Sequence, residues 1–75
     1  MKYTQYFLHT RTRIDRIAIK DESIEEAVCS PLHVEIQSDG RIRKWIKVEE
    51  KYLRVILLED GETVHNAFFD RNFKE

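Results

Sequence analysis

Arg41-Ile42-Arg43-Lys44-Trp45-Ile46-Lys47 is the stretch that decides how this chain can fold. As an extended strand, its alternation sends Arg41, Arg43, Trp45 and Lys47 to one face, and Ile42, Ile46 and the following Val48 to the other. The apolar face needs a cover. The other face offers fixed positive charge and an aromatic plane, the two features that a phosphate-and-base polymer uses.

Working outward, Leu32 to Gln37 alternates Leu32, Val34 and Ile36 against His33, Glu35 and Gln37. Ser38-Asp39-Gly40 then supplies a turn, so this segment and the basic strand form a hairpin. Glu49-Glu50-Lys51 separates the basic strand from Tyr52 to Leu58, an almost unbroken β-branched and aliphatic run of the kind found in central strands. Asp60-Gly61 is the strongest turn signal, because the pair tolerates the positive φ values of a tight hairpin; Thr63 to Phe69 is its returning strand.

Upstream the period changes. From about Tyr6 to Ile19, Phe7, Ile14 and Ile17 return to one helical face, and His9, Arg13 and Arg16 follow on another. Arg11 has Asp15 four residues on as a surface partner. A second helix over about Glu22 to Cys29 is indicated by Asp21 as N-cap, acids in the first turn, the stripe Ile24, Ala27 and Val28, and the stop at Ser30-Pro31. Leu53, Val55 and Leu57 are expected to join Ile42 and Ile46 under the helices, with Arg54 opposite them beside Arg41, Arg43 and Trp45. The expected fold is α+β: two N-terminal helices packed on one face of a four-stranded antiparallel meander, with residues 1–75 as a single domain.

Composition narrows the function classes. The chain has 75 residues, 41% hydrophobic and 36% charged, with two Gly and one Pro, which suits one ordinary folded domain rather than disorder. A net charge of −1 argues against a wholly basic nucleic-acid binder. Basic residues nonetheless concentrate in 11–20 and 41–47, while Asp21, Glu22, Glu25 and Glu26 form an acidic, solvated block. The lone Cys29 cannot form an internal disulfide and is expected to be a small core residue, and a reducing cytoplasm fits best. No apolar run approaches the ~20 residues that span a membrane, and the first residues carry no export or anchoring signal. His9, Cys29, His33 and His65 share no familiar ligand spacing beyond the loose Cys29/His33 separation, so we expect no metal and no cofactor.

His9, Arg13 and Arg16 on the first helix, Ser23-Ile24-Glu25-Glu26-Ala27-Val28 on the second, Asp39-Gly40-Arg41-Ile42 leading into a strand, Tyr52-Leu53-Arg54-Val55, and Ala67-Phe68-Phe69-Asp70-Arg71 at the end carry a resemblance. Together with the element order, they make nearly the whole chain resemble small uncharacterised prokaryotic proteins related to RelE/ParE-type toxins. Ile17-Ala18-Ile19-Lys20 stands where those proteins commonly carry Arg-Gly-Ile-Ser, and Arg16 is displaced by one position. The resemblance implies a RelE-like fold shared with metal-independent ribonucleases, RNA or a ribosome as target, and an antitoxin as protein partner over the basic face. Fold alone is weak evidence for reaction.

RNA cleavage would need a base for the ribose hydroxyl, an acid for the leaving oxygen, and cations around the phosphorane-like charge. His9 and His65 are the candidates for proton transfer, since imidazoles titrate near neutral pH, and Arg54 with Arg41 and Arg43 would stabilise the developing charge. Arg13, Arg41, Arg43, Trp45 and Lys47 are the candidate nucleic-acid contacts; the competing reading makes Trp45 part of the core and its charged neighbours only a solvated face that keeps the sheet soluble. The alternative belongs to another class: a non-enzymatic interaction domain that binds a protein partner, or a second copy as a homodimer, through its sheet. Phe68, Phe69 and Phe73 exceed what a four-stranded core of this size needs. They either form a dimer seam, or the tail Asp70-Arg71-Asn72-Phe73 folds back over the sheet.

Overall fold

The central pair of strands follows from the alternation just described. In the computed structural model, which describes residues 2–13 and 18–74, β3 spans Ile42–Val48 and β4 spans Lys51–Leu57. Antiparallel pairing places Trp45 opposite Arg54 and Ile46 opposite Leu53. The remaining elements are β1 (Lys2–Tyr3), α1 (Gln5–Thr10), α2 (Asp21–Cys29), β2 (His33–Ile36) and β5 (Thr63–Phe69). The sheet order is β1-β5-β4-β3-β2.

This corrects the expected four-stranded antiparallel meander. The sheet has five strands and is mixed, because Lys2 and Tyr3 pair parallel to Thr63 and Val64. The backbone N–H of Thr4 extends the contact by donating to the Val64 carbonyl at 3.0 Å. Thr4 then caps α1, its hydroxyl accepting from the Phe7 N–H at 3.1 Å, and so turns the chain from strand into helix within one residue.

The first helix is also shorter than its periodicity predicts. It ends at Thr10, and Arg11 to Arg13 form a turn in which the Thr12 hydroxyl bonds the His9 carbonyl. Residues Ile14 to Ile17, including the expected core positions Ile14 and Ile17, the expected partner Asp15 and the candidate Arg16, lie outside the described residues. Arg11 is ion-paired with Asp21, at the start of α2, which ties the two helices together. The Lys20 backbone, rather than Asp21, is the cap of α2.

One face of the sheet carries the helices and the core. Phe7, Ile19, Ile24 and Ala27 pack on Ile46, Leu53, Val55, Leu57, Val64 and Ala67 in a single cluster. Each fully buried Leu, Ile or Phe contributes about 1.5–3 kcal/mol, which a chain of this length needs in full. Within α2, Ile24, Ala27 and half-buried Val28 face the sheet as predicted. Cys29 does not. One residue beyond Val28 is a rotation of about 100°, and this turns Cys29 outward, so it is exposed rather than part of the core. Among the described residues, no helix is long and apolar enough to cross a membrane.

Candidate functional site

The face of the sheet opposite the helices is organised in rows by strand register. His33 on β2, Trp45 on β3, Arg54 on β4 and Phe68 on β5 lie side by side. Glu35, Arg43, Ile56 and Asn66 form the next row. The predicted strand parity is therefore what the structure shows for Arg43, Trp45 and Arg54.

The first row is not an open platform. Trp45 is only 3% exposed, because the residues after β5 fold back across it. Phe73 stacks on the Trp45 ring with centroids 4.9 Å apart, and also meets Tyr52 at 5.1 Å and His33 at 5.6 Å. Asp70 fixes the returning chain. Its Oδ2 accepts from Trp45 Nε1 at 3.2 Å and from Arg54 Nε and Nη2 at 3.0 and 2.6 Å, while Oδ1 takes the Asn72 N–H at 3.0 Å. Burial alone would raise the Asp70 pKa, but the hydrogen bonds from Arg54, Trp45 and the Asn72 amide outweigh it and hold the carboxyl below its ordinary value. The expectation of Trp45 as an exposed stacking plane is thus corrected: the chain's own Phe73 occupies that plane.

Arg54 is committed in the same way. Its guanidinium lies 5.5 Å from the Trp45 ring centroid and 4.9 Å from that of Phe68, besides its ion pair with Asp70. A cation neutralised and enclosed on these sides acts as a structural tie between the sheet and the tail.

Arg41 and Arg43 stand at the other end of the face, beyond the tail. With its carboxamide oxygen turned toward Arg43, Gln37 accepts from Nε at 3.1 Å and Nη2 at 2.6 Å. Arg41 pairs with Asp39 at 3.7 Å on the exposed hairpin end. Glu35 sits across from Arg43 in the same row, so the cations alternate with acids rather than forming a uniform basic patch. Lys47 is exposed, its ammonium 6.0 Å from the Tyr52 ring centroid.

His65 is the extra residue of a β-bulge, since Ile56 pairs with Asn66 and Leu57 with Val64. Its ring stacks on Tyr6 with centroids 5.0 Å apart, and Nδ1 lies 3.2 Å from the Thr4 hydroxyl. Burial, reinforced by the charge of Arg41, lowers its pKa. The direction of that hydrogen bond is set by the imidazole tautomer, since a hydroxyl that accepts from Phe7 can still either donate or accept.

His9 and Arg13 are exposed on α1 and in the turn after it. No hydrogen bond, ion pair or ring contact among the described residues joins either to His65, Arg41, Arg43 or Arg54. Among the described residues, the three expected to carry cleavage, His9, His65 and Arg54, make no hydrogen bond, ion pair or ring contact with one another. A concavity of about 760 Å³, lined in part by Lys51, Tyr52, Phe68, Asp70, Arg71 and Phe73, contains none of them. Among the described residues, no group of three or more His, Cys, Asp or Glu side chains could hold a metal ion.

Comparison with known proteins finds no matching family model, no matching curated protein and no matching solved structure.

A second feature lies at the sheet margin. β2 is an edge strand, and its helix-side residues Val34 and Ile36 are 45% and 74% exposed, with Leu32 just before it at 49%. The helices stop short of it: α2 packs over β3 and β4, and α1 over β5. The backbone follows the same division. Gln37 is in register with Arg41 and donates to its carbonyl at 2.7 Å, so the odd-numbered residues of β2 bond to β3 and those of even number turn their N–H and C=O groups outward. Val34 and Ile36 thus present apolar side chains and unpaired backbone groups along one line. The alternation of Leu32, Val34 and Ile36 carried the signal in the sequence, but helix coverage decided that it stayed exposed.

Proposed function

We propose that this chain is a small interaction domain that takes an extended partner strand along the free edge of β2. The observation that carries the proposal is the coincidence of outward backbone groups and exposed apolar side chains at Val34 and Ile36. Edge strands of soluble proteins are ordinarily blunted by Lys, Pro, a bulge or a covering element, and β2 has none of these along its helix-side line. Strand addition would draw affinity from main-chain hydrogen bonds and selectivity from alternate side chains.

The test is an NMR titration with a short peptide alternating valine and threonine, N-methylated at every second residue so that only one edge can pair. Shifts confined to 32–37, with slowed exchange of the Val34 and Ile36 amides, are expected. Shifts elsewhere, or none, reject the reading.

A second reading keeps RNA as the target, in line with the resemblance to RelE/ParE-type proteins, and rests on Arg41 and Arg43 standing beyond the tail with Lys47 exposed on β3. It invokes binding without cleavage, because the candidate catalytic groups share no direct contact among the described residues. Affinity for single-stranded RNA that falls steeply with salt and is lost on joint Arg41→Ala and Arg43→Ala substitution is its expected result; no binding at low salt removes it.

A further inference from the structure

We infer that the strand that β2 takes is β2 of a second copy, paired antiparallel about a two-fold axis through Val34. The inference rests on the strand-pairing reading above and adds the identity and register of the partner. Residues that face one another across an antiparallel pair share a face of the sheet, so a two-fold axis between identical strands must pass through a residue position. On β2 the choices are few, and the side chains separate them.

With the axis through Val34, each Val34 meets its counterpart, and Ile36 lies opposite Leu32 of the second copy. His33 then lies opposite Glu35 of the second copy, and Glu35 opposite its His33. Apolar residues meet apolar residues, and each imidazole meets a carboxylate. Moving the axis one residue to Glu35 sets two carboxylates face to face. Moving it to His33 sets two imidazoles together and puts Ile36 opposite the polar Ser30 of the second copy.

The backbone allows this axis, although the Leu32 N–H, which donates to the Trp45 carbonyl at 2.7 Å, stays out of the seam. Val34 turns its N–H and C=O outward, so two copies of Val34 can exchange both hydrogen bonds. Glu35 and His33 spend theirs on β3, so an axis through either would centre on a non-hydrogen-bonded pair; at Glu35 the flanking Val34 and Ile36 would still exchange hydrogen bonds, and it is the facing carboxylates that count against that axis. His33 and Glu35 are already matched in chemistry, since the imidazole Nε2 lies 2.9 Å from Glu35 Oε2 within one strand. In the pair the same groups face one another across the seam, on the closer, non-hydrogen-bonded spacing. The product is one continuous sheet across both copies, with both helical layers on one side and Val34 and Ile36 of each copy in the trough between them.

Two measurements on the whole chain decide this. Sedimentation equilibrium is expected to show a monomer–dimer equilibrium whose dissociation constant rises roughly 100-fold or more in Val34→Lys, which sets two ammonium groups on the axis and removes two apolar contacts. In a Cys29→Ser background, Val34→Cys is expected to give a disulfide-linked dimer under mild oxidation, because hydrogen-bonded partners stand about 5.5 Å apart between Cα atoms, within disulfide range. Glu35→Cys in the same background is expected to stay monomeric on denaturing gels, its two copies being offset along the seam. Cross-linking of Glu35→Cys in place of Val34→Cys overturns the axis. A monomer at every concentration, with neither variant cross-linking, overturns the second copy; the valine–threonine peptide then separates the two proposals, since β2 shifts with that peptide leave strand pairing standing and their absence ends both.

Discussion

Replacing Asp70 with alanine removes the one acceptor on which Trp45, Arg54 and the returning tail converge. Leaving one member of a buried ion pair without its partner costs about 3–5 kcal/mol. The Arg54 side chain is 22% exposed against 6% for Asp70, so water recovers part of the loss, and we expect about 2–3 kcal/mol. For a domain of this length that is a large share of a total of roughly 4–11 kcal/mol. With a urea slope near 1 kcal/mol/M, the midpoint should fall by about 2–3 M.

Trp45 is the single tryptophan and lies under Phe73, so its fluorescence reports the same region. A red-shifted, readily quenched emission in the folded variant would show the tail released. Acid dependence supplies an independent check. The Asp70 carboxyl is held below its ordinary 3.8, so its contribution is complete above the unfolded value and is lost as pH falls through the lower folded one. Asp70→Asn should therefore lack that acid limb. A midpoint shift in Asp70→Ala of less than about 0.3 M, or an unchanged acid limb in Asp70→Asn, would refute the view that this carboxylate holds the tail to the sheet.

Three other outcomes follow from the backbone and from His65. Gly40 has φ +90°, and an added Cβ would meet the Glu59 side chain at 2.7 Å, so Gly40→Ala should cost about 1–2 kcal/mol; a paired Glu59→Ala should recover only the steric share, as read by thermal melting. Glu49 is a non-glycine residue at φ 59°, so Glu49→Gly should raise stability by about 0.5–1 kcal/mol in urea titration, the backbone relief exceeding the entropy glycine adds to the unfolded chain. The His65 pKa is lowered by burial and by Arg41, so its contribution is present above the ordinary 6.5 and is lost as pH falls through the folded value; urea midpoints across this range should drop in the wild type and more weakly in His65→Gln.

Much of the layered arrangement was legible in the sequence because short-period alternation carries it. Ile46, Leu53, Val55 and Leu57 fall on the covered face and Trp45 and Arg54 on the other, as a period of two requires. The turns at Asp39-Gly40 and Asp60-Gly61 announced themselves because both glycines adopt positive φ. β1 was not legible: two residues have no period, and their strand character comes entirely from docking alongside Thr63 and Val64. The expected extent of the first helix also failed, since apolar spacing takes no account of the turn that the Thr10 and Thr12 hydroxyls make by bonding the Phe7 and His9 carbonyls.

The candidate site shows the same division. Residue types and strand parity were enough to put guanidinium groups and an indole on one surface, because alternation is a local property of an extended chain. Whether that surface met solvent depended on the segment from Asp70 to Phe73, a contact across 25 residues between Asp70 and Trp45 that no local pattern encodes. Likewise, the apolar line of Val34 and Ile36 was visible as a pattern, while its exposure was set by helices that reach only as far as β3. Local stereochemistry is written in neighbouring residues; which faces are covered is decided where distant segments compete for the same surface.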